Sequence, residues 1–200
     1  MQLIVATRNA HKTREIQQIL GQDFAVSDLS AHPEIPATRE HGKSFEENAM
    51  LKAIGASSHL PGLVVADDSG LEVDALGGAP GIFSARYAGK NATDQQNIDK
   101  LLKKLARVGA RETQRAARFR CVIALAREGA LLGTFEGAVE GTIADAPRGQ
   151  SGFGYDPVFV PRGFEATFAQ LPAVVKNKIS HRAKAIRALS RKLAALKLTD

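Results

Sequence analysis

Two adjacent carboxylates, Asp67 and Asp68, follow the apolar run Leu63-Val64-Val65-Ala66 and precede Ser69-Gly70. Read as a buried strand ending abruptly in a turn, this places an acidic pair where open sheets bind ligands. Side chains alternate along extended backbone, so consecutive acids point to opposite sides. One can face a site while its neighbour orients a helix or loop. The same residues would equally serve as an Asx turn beside a solvated acid.

Other segments offer chemistry of a matching kind. Thr7-Arg8-Asn9-Ala10-His11-Lys12 joins an apolar run to a helical pattern. Backbone amides at a helix start, with Lys12 and Arg8, can hold phosphate oxygens, although the spacing is not that of a Walker loop. Glu40 and Glu47 are further acids for a magnesium ion, which takes one or two carboxylates plus substrate phosphates. Glu47 lies three residues after Ser44 and suits a capping box as well, so which of the two would complete such a site stays open. Phe153-Gly154-Tyr155-Asp156-Pro157 combines an aromatic face for stacking, glycine for close backbone approach and an acid near the edge. A tight turn with Phe153 in the core is the alternative. In Ser180-His181-Arg182 a planar guanidinium can donate to a carbonyl oxygen in fixed geometry.

The elements that must position these residues follow from periodicity. Gln2 to Ala6 reads as a strand, and Ile16, Ile19 and Leu20 recur at helical spacing after the loop. Phe24 to Leu29 suggests a second strand, and a helix capped by Ser44 runs to about Ser58. Ile98, Leu101, Leu102 and Leu105 share a helical face. Ala117, Phe119, Cys121, Ile123 and Leu125 alternate, and Glu128-Gly129 separates them from Leu131, Gly133 and Phe135, which predicts a long antiparallel hairpin. Ser180 caps a last helix with a stripe of Ala183, Ile186, Leu189, Leu193 and Leu196. The order predicts an α/β fold: one domain over residues 1–200 with a mixed central β-sheet flanked by helices.

With 200 residues, 44% hydrophobic and 24% charged, the chain can bury one real core, and two full domains would be cramped. No stretch approaches the roughly 20 apolar residues of a membrane span, so a soluble cytoplasmic protein is expected. The single cysteine, Cys121, excludes an intramolecular disulfide and reads as a buried thiol. A net charge of +6 favours an anionic partner without naming it. Much of that excess lies in a tail from Lys176 to Lys197 that contains no acid, partly a solvated helix face.

Taken in order, six segments resemble the inosine triphosphate pyrophosphatase, or Ham1-like, family over nearly the whole chain. They are Ala6-Thr7-Arg8-Asn9 with Lys12, Ser44 to Ala49 with Lys52-Ala53, Ala66 to Leu71, Leu76 to Gly89, Gly152 to Pro157, and Ile179 to Arg182. The resemblance implies the Maf/Ham1 type of α/β fold and a Mg2+-dependent split of deaminated purine nucleoside triphosphates (ITP, dITP, XTP) into monophosphate and pyrophosphate. By that analogy Asp68 is the proton acceptor and a metal ligand, Glu40 the second metal carboxylate, and Asp67 a support of the same centre. Lys12 and Lys52 would bind phosphates. Thr7, Arg8, Asn9, Ala10, His11, Lys12, Ser69, Phe153, Gly154, Tyr155, Asp156, Lys176, His181 and Arg182 would line the nucleotide site. A homodimer is expected because relatives pair, with no stable nucleic-acid partner.

Two departures stand out. Arg8 occupies a position where many relatives have Gly or Asn, and Pro172-Ala173-Val174-Val175 precedes Lys176 in place of a more acidic stretch. A Maf-like pyrophosphatase for modified or pyrimidine nucleotides is the alternative enzyme. A basic nucleic-acid-binding module is the alternative of another class, though aromatic residues at 6% with no interleaved basic stripe support it poorly.

Overall fold

Leu3, Ile4 and Val5, an unbroken apolar run, form the buried part of strand β1 (Gln2–Val5) in a computed structural model that describes residues 1–36, 38 and 40–196. Lys197 of the basic tail lies outside the described residues. β1 continues through a short loop into helix α1 (Ala10–Leu20), whose Ile16 and Leu20 face inward, and then into β2 (Ala25–Asp28). Helix α2 (Phe45–Ser57) follows, then β3 (Leu63–Val73), α3 (Asp94–Arg107), β4 (Ala116–Arg127), β5 (Ala130–Ile143) and β6 (Phe159–Pro161). Helices α4 (Ala173–Ile179) and α5 (His181–Leu196) end the described chain.

The six strands are ordered β2-β1-β3-β4-β5-β6. β1 pairs in parallel with β2, Leu3 opposite Val26, and with β3, Val5 opposite Val65, while β5 and β6 are antiparallel. Between β4 and β5 only Glu128 and Gly129 intervene, with φ of 52° and 77°. Positive φ at both central residues is the two-residue hairpin turn whose twist matches the strands, and so short a connection joins antiparallel neighbours. The sheet is therefore mixed and the fold α/β, as the order of elements predicts.

The chain forms two compact units. The first comprises the described parts of 1–68, 121–137 and 180–200, with a core of Leu3, Val5, Ile16, Val65, Ile123, Leu125, Ile186 and Leu189. The second comprises 69–120 and 138–179, where Leu71, Leu101 and Leu105 surround a ring cluster with Phe119 and Phe159 4.7 Å apart. Each fully buried leucine, isoleucine or phenylalanine is worth about 1.5–3 kcal/mol of transfer free energy.

Three expectations need correction. The strand starting at Leu63 does not stop at Ala66; it runs on to Val73, so the acidic pair lies inside β3 rather than at a turn. Burial and ion pairing of both acids, absent from a local propensity reading, keep the chain extended there. The segment before Ser180, read only as a departure, forms the separate helix α4. At α2, Ser44 Oγ accepts from Glu47 N at 3.1 Å, but the Glu47 carboxylate accepts from Lys43 N at 2.7 Å, one residue short of a reciprocal box. That bond ties Glu47 Oε2 to the chain just before the helix. Among the described residues no helix is long and apolar enough to cross a membrane.

Candidate active site

The loop into α1 is organised by its own side chains. Asn9 Oδ1 accepts from His11 N at 2.9 Å and from Lys12 N at 3.4 Å, and Thr7 Oγ1 accepts from Asn9 N at 3.1 Å. Asn9 is thus the N-cap, and two of the helix-start amides, those of His11 and Lys12, are engaged by its side chain. Arg8 donates to Ile35 O at 2.7 Å and pins the loop after β2, while Ala10 and His11 are exposed in the first turn. We expect Asn9→Ala to lower stability by about 1 kcal/mol in urea unfolding, the usual loss for a removed cap.

Lys12, in that same turn, points inward, with Nζ 2.5 Å from Asp67 Oδ1. The pleat of β3 sends the two acids to different partners, as alternation requires. Asp67 is fully buried and also accepts from Arg182 Nε at 2.8 Å and Cys121 Sγ at 3.1 Å, both on Oδ2. Burial works against ionisation, yet the charges of Arg182 and Lys12 outweigh it and hold the Asp67 carboxyl well below the usual carboxylate range. Burial and the Asp67 charge push the Cys121 thiol well up, so it remains protonated and donates. Arg182, 1% exposed, also bonds through Nη1 to Glu15 Oε2. His181 is buried beside it in the first turn of α5, which Ser180 Oγ caps by accepting from Ala183 N at 3.1 Å. β5 approaches that turn closely: a Cβ on Gly137 would stand 2.2 Å from His181 O and 2.6 Å from Ala185 N.

Asp68 faces α2. Asn48 and Lys52, one turn apart on that helix, both reach it, with Lys52 Nζ 2.7 Å from Oδ1 and Asn48 Nδ2 3.4 Å from Oδ2. Lys52 Nζ also lies 2.8 Å from Asp67 O and 3.3 Å from Glu40 Oε1. Burial raises the Asp68 pKa above the ordinary carboxylate value, and the Lys52 charge offsets only part of that. Burial disfavours the Lys52 ammonium, but Asp68 first and then Glu40 override it and raise its pKa.

Lys12 and Arg182 thus face Asp67 and Glu15, and Lys52 faces Asp68 and Glu40. Asp68 and Glu40 are brought together at the Lys52 ammonium. A hard divalent cation fits this donor set if substrate oxygens and water complete its shell. Among the described residues no group of three or more His, Cys, Asp or Glu has the geometry of a metal site.

The second unit carries the remaining expected residues. Ser69 is half-buried on β3. In the loop before β6, Asp156 Oδ2 accepts from Phe153 N at 2.9 Å and from Lys176 Nζ at 2.5 Å, a pair with both side chains under 10% exposed. The Lys176 ammonium lies 5.1 Å from the centre of the half-buried Phe153 ring, within cation–π range. Gly154 N donates to Asp94 Oδ2 at 2.6 Å, and Tyr155 hydroxyl donates to Ser84 O at 2.9 Å. Phe153 is therefore held from its backbone and from its face, and α4 supplies the lysine despite its non-acidic approach.

Glu15, Asn48, Asp94 and Cys121 belong to these networks without having been assigned a site role from sequence. For Glu15 and Asn48 a signal existed: Lys12 with Glu15, and Asn48 with Lys52, stand three and four residues apart, the spacing that puts side chains on one helix face.

Comparison with known proteins identifies the family. The Ham1 family model matches residues 3–192. The dITP/XTP pyrophosphatase of Geobacter sulfurreducens is 50% identical over 189 residues, 94% of each chain. That of Shouchella clausii is 48% identical over 188 residues, again 94% of each. Among solved structures, the Staphylococcus aureus Ham1 protein superposes with a TM-score of 0.84 at 42% identity, covering 98% of this chain and 99% of its own. With sequence and fold matching from end to end, the chain belongs to the Ham1 family.

Proposed function

We propose that this chain hydrolyses deaminated purine nucleoside triphosphates, dITP, XTP and ITP, to the monophosphate and pyrophosphate, removing them from the nucleotide pool. The relatives named above carry the substrate assignment. The observation that carries the chemistry is Asp68: a buried carboxylate of raised pKa, next to a lysine and a second carboxylate.

In this reading Asp68 takes the proton of the attacking water, a task for which a carboxylate above its ordinary pKa is better suited. Asp67, whose lowered pKa makes it the weaker proton acceptor of the two, fixes Lys12 instead. Lys12 and Lys52 meet the negative charge of the phosphates. Glu40 and Asp68 are the residues that would hold Mg2+, which when bound polarises phosphate and offsets charge on the leaving pyrophosphate. Phe153 to Asp156 with Lys176, and His181 with Arg182, are the residues we assign to the nucleoside.

Selectivity follows from the purine edge. A donor placed for a 6-oxo group is left unpaired by the adenine amino group, at a cost of about 1–3 kcal/mol. Guanine shares the 6-oxo group, so its 2-amino group is what must be refused. Arg182 donates to Asp67 and Glu15 here, which fixes the plane of its guanidinium. We also assign the chain to the cytoplasm as a homodimer, acting as one enzyme domain over residues 1–200.

With Mg2+, purified protein should release pyrophosphate from ITP, dITP and XTP at least about ten-fold faster than from ATP, the ratio expected of one unpaired donor, and faster than from GTP, whose 2-amino group is refused. Equal rates on all five would reject the selectivity. Faster turnover of a pyrimidine triphosphate would favour the Maf-like alternative.

A further inference from the structure

Glu15 stands one turn after Lys12 on α1, and both side chains reach the buried centre around Asp67. A guanidinium that meets a carboxylate side-on ordinarily makes two parallel bonds of similar length. Arg182 does not. Its Nε lies 2.8 Å from Asp67 Oδ2, but its Nη2 is 3.5 Å from Oδ1, while Nη1 bonds to Glu15 Oε2. The fork is tilted toward Glu15. Asp67 Oδ1, which a symmetric fork would engage as closely as Oδ2, is held at 2.5 Å by Lys12 and reached by Arg182 only at 3.5 Å.

We infer that Glu15 is a positioning residue: by drawing Arg182 to one side it reserves Asp67 Oδ1 for Lys12 and so fixes where the Lys12 ammonium stands. Without the Glu15 carboxylate, Arg182 closes both arms on Asp67 and displaces Lys12, which then has to be ordered anew each time it meets an anion. The kinetic consequence of that displacement rests on the proposed role of Lys12 at the phosphates; the displacement itself does not.

The test reads Lys12 directly. The folded protein is treated briefly with a small amine-acylating reagent, and modification of the Lys12 peptide is measured by mass spectrometry against the exposed Lys43 as internal reference. Lys12 should react several-fold faster in Glu15→Gln than in the unsubstituted protein, and at close to the original rate in Glu15→Asp, which keeps the charge. It should slow again in the double variant Glu15→Gln, Arg182→Gln, where the competitor for Oδ1 is gone. In steady state, Glu15→Gln should raise KM for dITP about ten-fold with kcat within about three-fold, because what is lost is order in a binding group.

Unchanged Lys12 reactivity in folded Glu15→Gln overturns the inference. So does a fall in kcat and stability with KM and reactivity unmoved, which is the mark of a merely structural residue. If Glu15→Gln does not fold by circular dichroism, Glu15→Ser, which also removes the carboxylate, is read in its place, and unchanged Lys12 reactivity there overturns the inference equally. If the unsubstituted protein leaves dITP and XTP intact, the proposed function fails while the acylation result still decides the role of Glu15.

Discussion

Asp68→Asn should leave the chain folded and lower turnover of dITP and XTP by at least about a thousand-fold, since loss of a general base alone removes two to four orders of magnitude. The substitution keeps the volume of the side chain and removes only its charge and its capacity to take a proton. It also strips the proposed metal site of one of its two carboxylates. Lys52 retains Glu40 Oε1 and Asp67 O within 3.3 Å, so the ammonium is not stranded and the melting temperature should move little. Pyrophosphate release and thermal unfolding measured on the same sample check both halves. Retention of a tenth or more of the original kcat/KM would remove Asp68 from the role of base.

The opposite balance is expected one residue earlier. Asp67→Asn should cost about 3–5 kcal/mol of stability, because it breaks a buried ion pair from one side and leaves Arg182 and Lys12 with less compensation. Glu15 still faces Arg182, which keeps the loss from growing beyond that range. Urea unfolding is the measurement, and a loss below about 1 kcal/mol would mean that solvent or a neighbour replaces the carboxylate.

The sign of the pH dependence is set by the same geometry. The folded-state pKa of Asp67 lies below its unfolded value, so its contribution is complete above the unfolded pKa of about 3.9 and is lost as pH falls through the folded one. The stability gap between the unsubstituted protein and Asp67→Asn should therefore be level through neutral pH and close only below about pH 4. A gap that closes instead between pH 6 and 8 would point to another titrating group.

Much of the scaffold was legible in one dimension. The run Gln2 to Val5, the helical spacing of Ile16 and Leu20, the alternation from Ala117 to Leu125 and the stripe from Ala183 to Leu193 are each a period of two or of 3.6 set by one buried face. Such a pattern depends only on which side of an element meets the core. Helix α4 escaped because its seven residues are too short for a period to show. β3 was cut short because two aspartates break a hydrophobic pattern whatever they are bound to in the fold.

The sequence by itself determined which residue types were at hand: a lysine in the first turn after β1, an acidic pair after an apolar strand, an aromatic loop bounded by glycine, and a histidine and arginine opening the last helix. It also carried the likeness to the Ham1 family, because ordered motifs survive in the linear text. Only the tertiary structure decided how the charges divide. Lys12, Asp67, Cys121 and Arg182 come from four elements up to 170 positions apart, and no local spacing could assign Arg182 to Asp67 and Glu15 or Lys52 to Asp68. The reason is physical: a charge removed from water must find its counterion within a few ångströms of space, and distance along the chain places no constraint on where that counterion comes from.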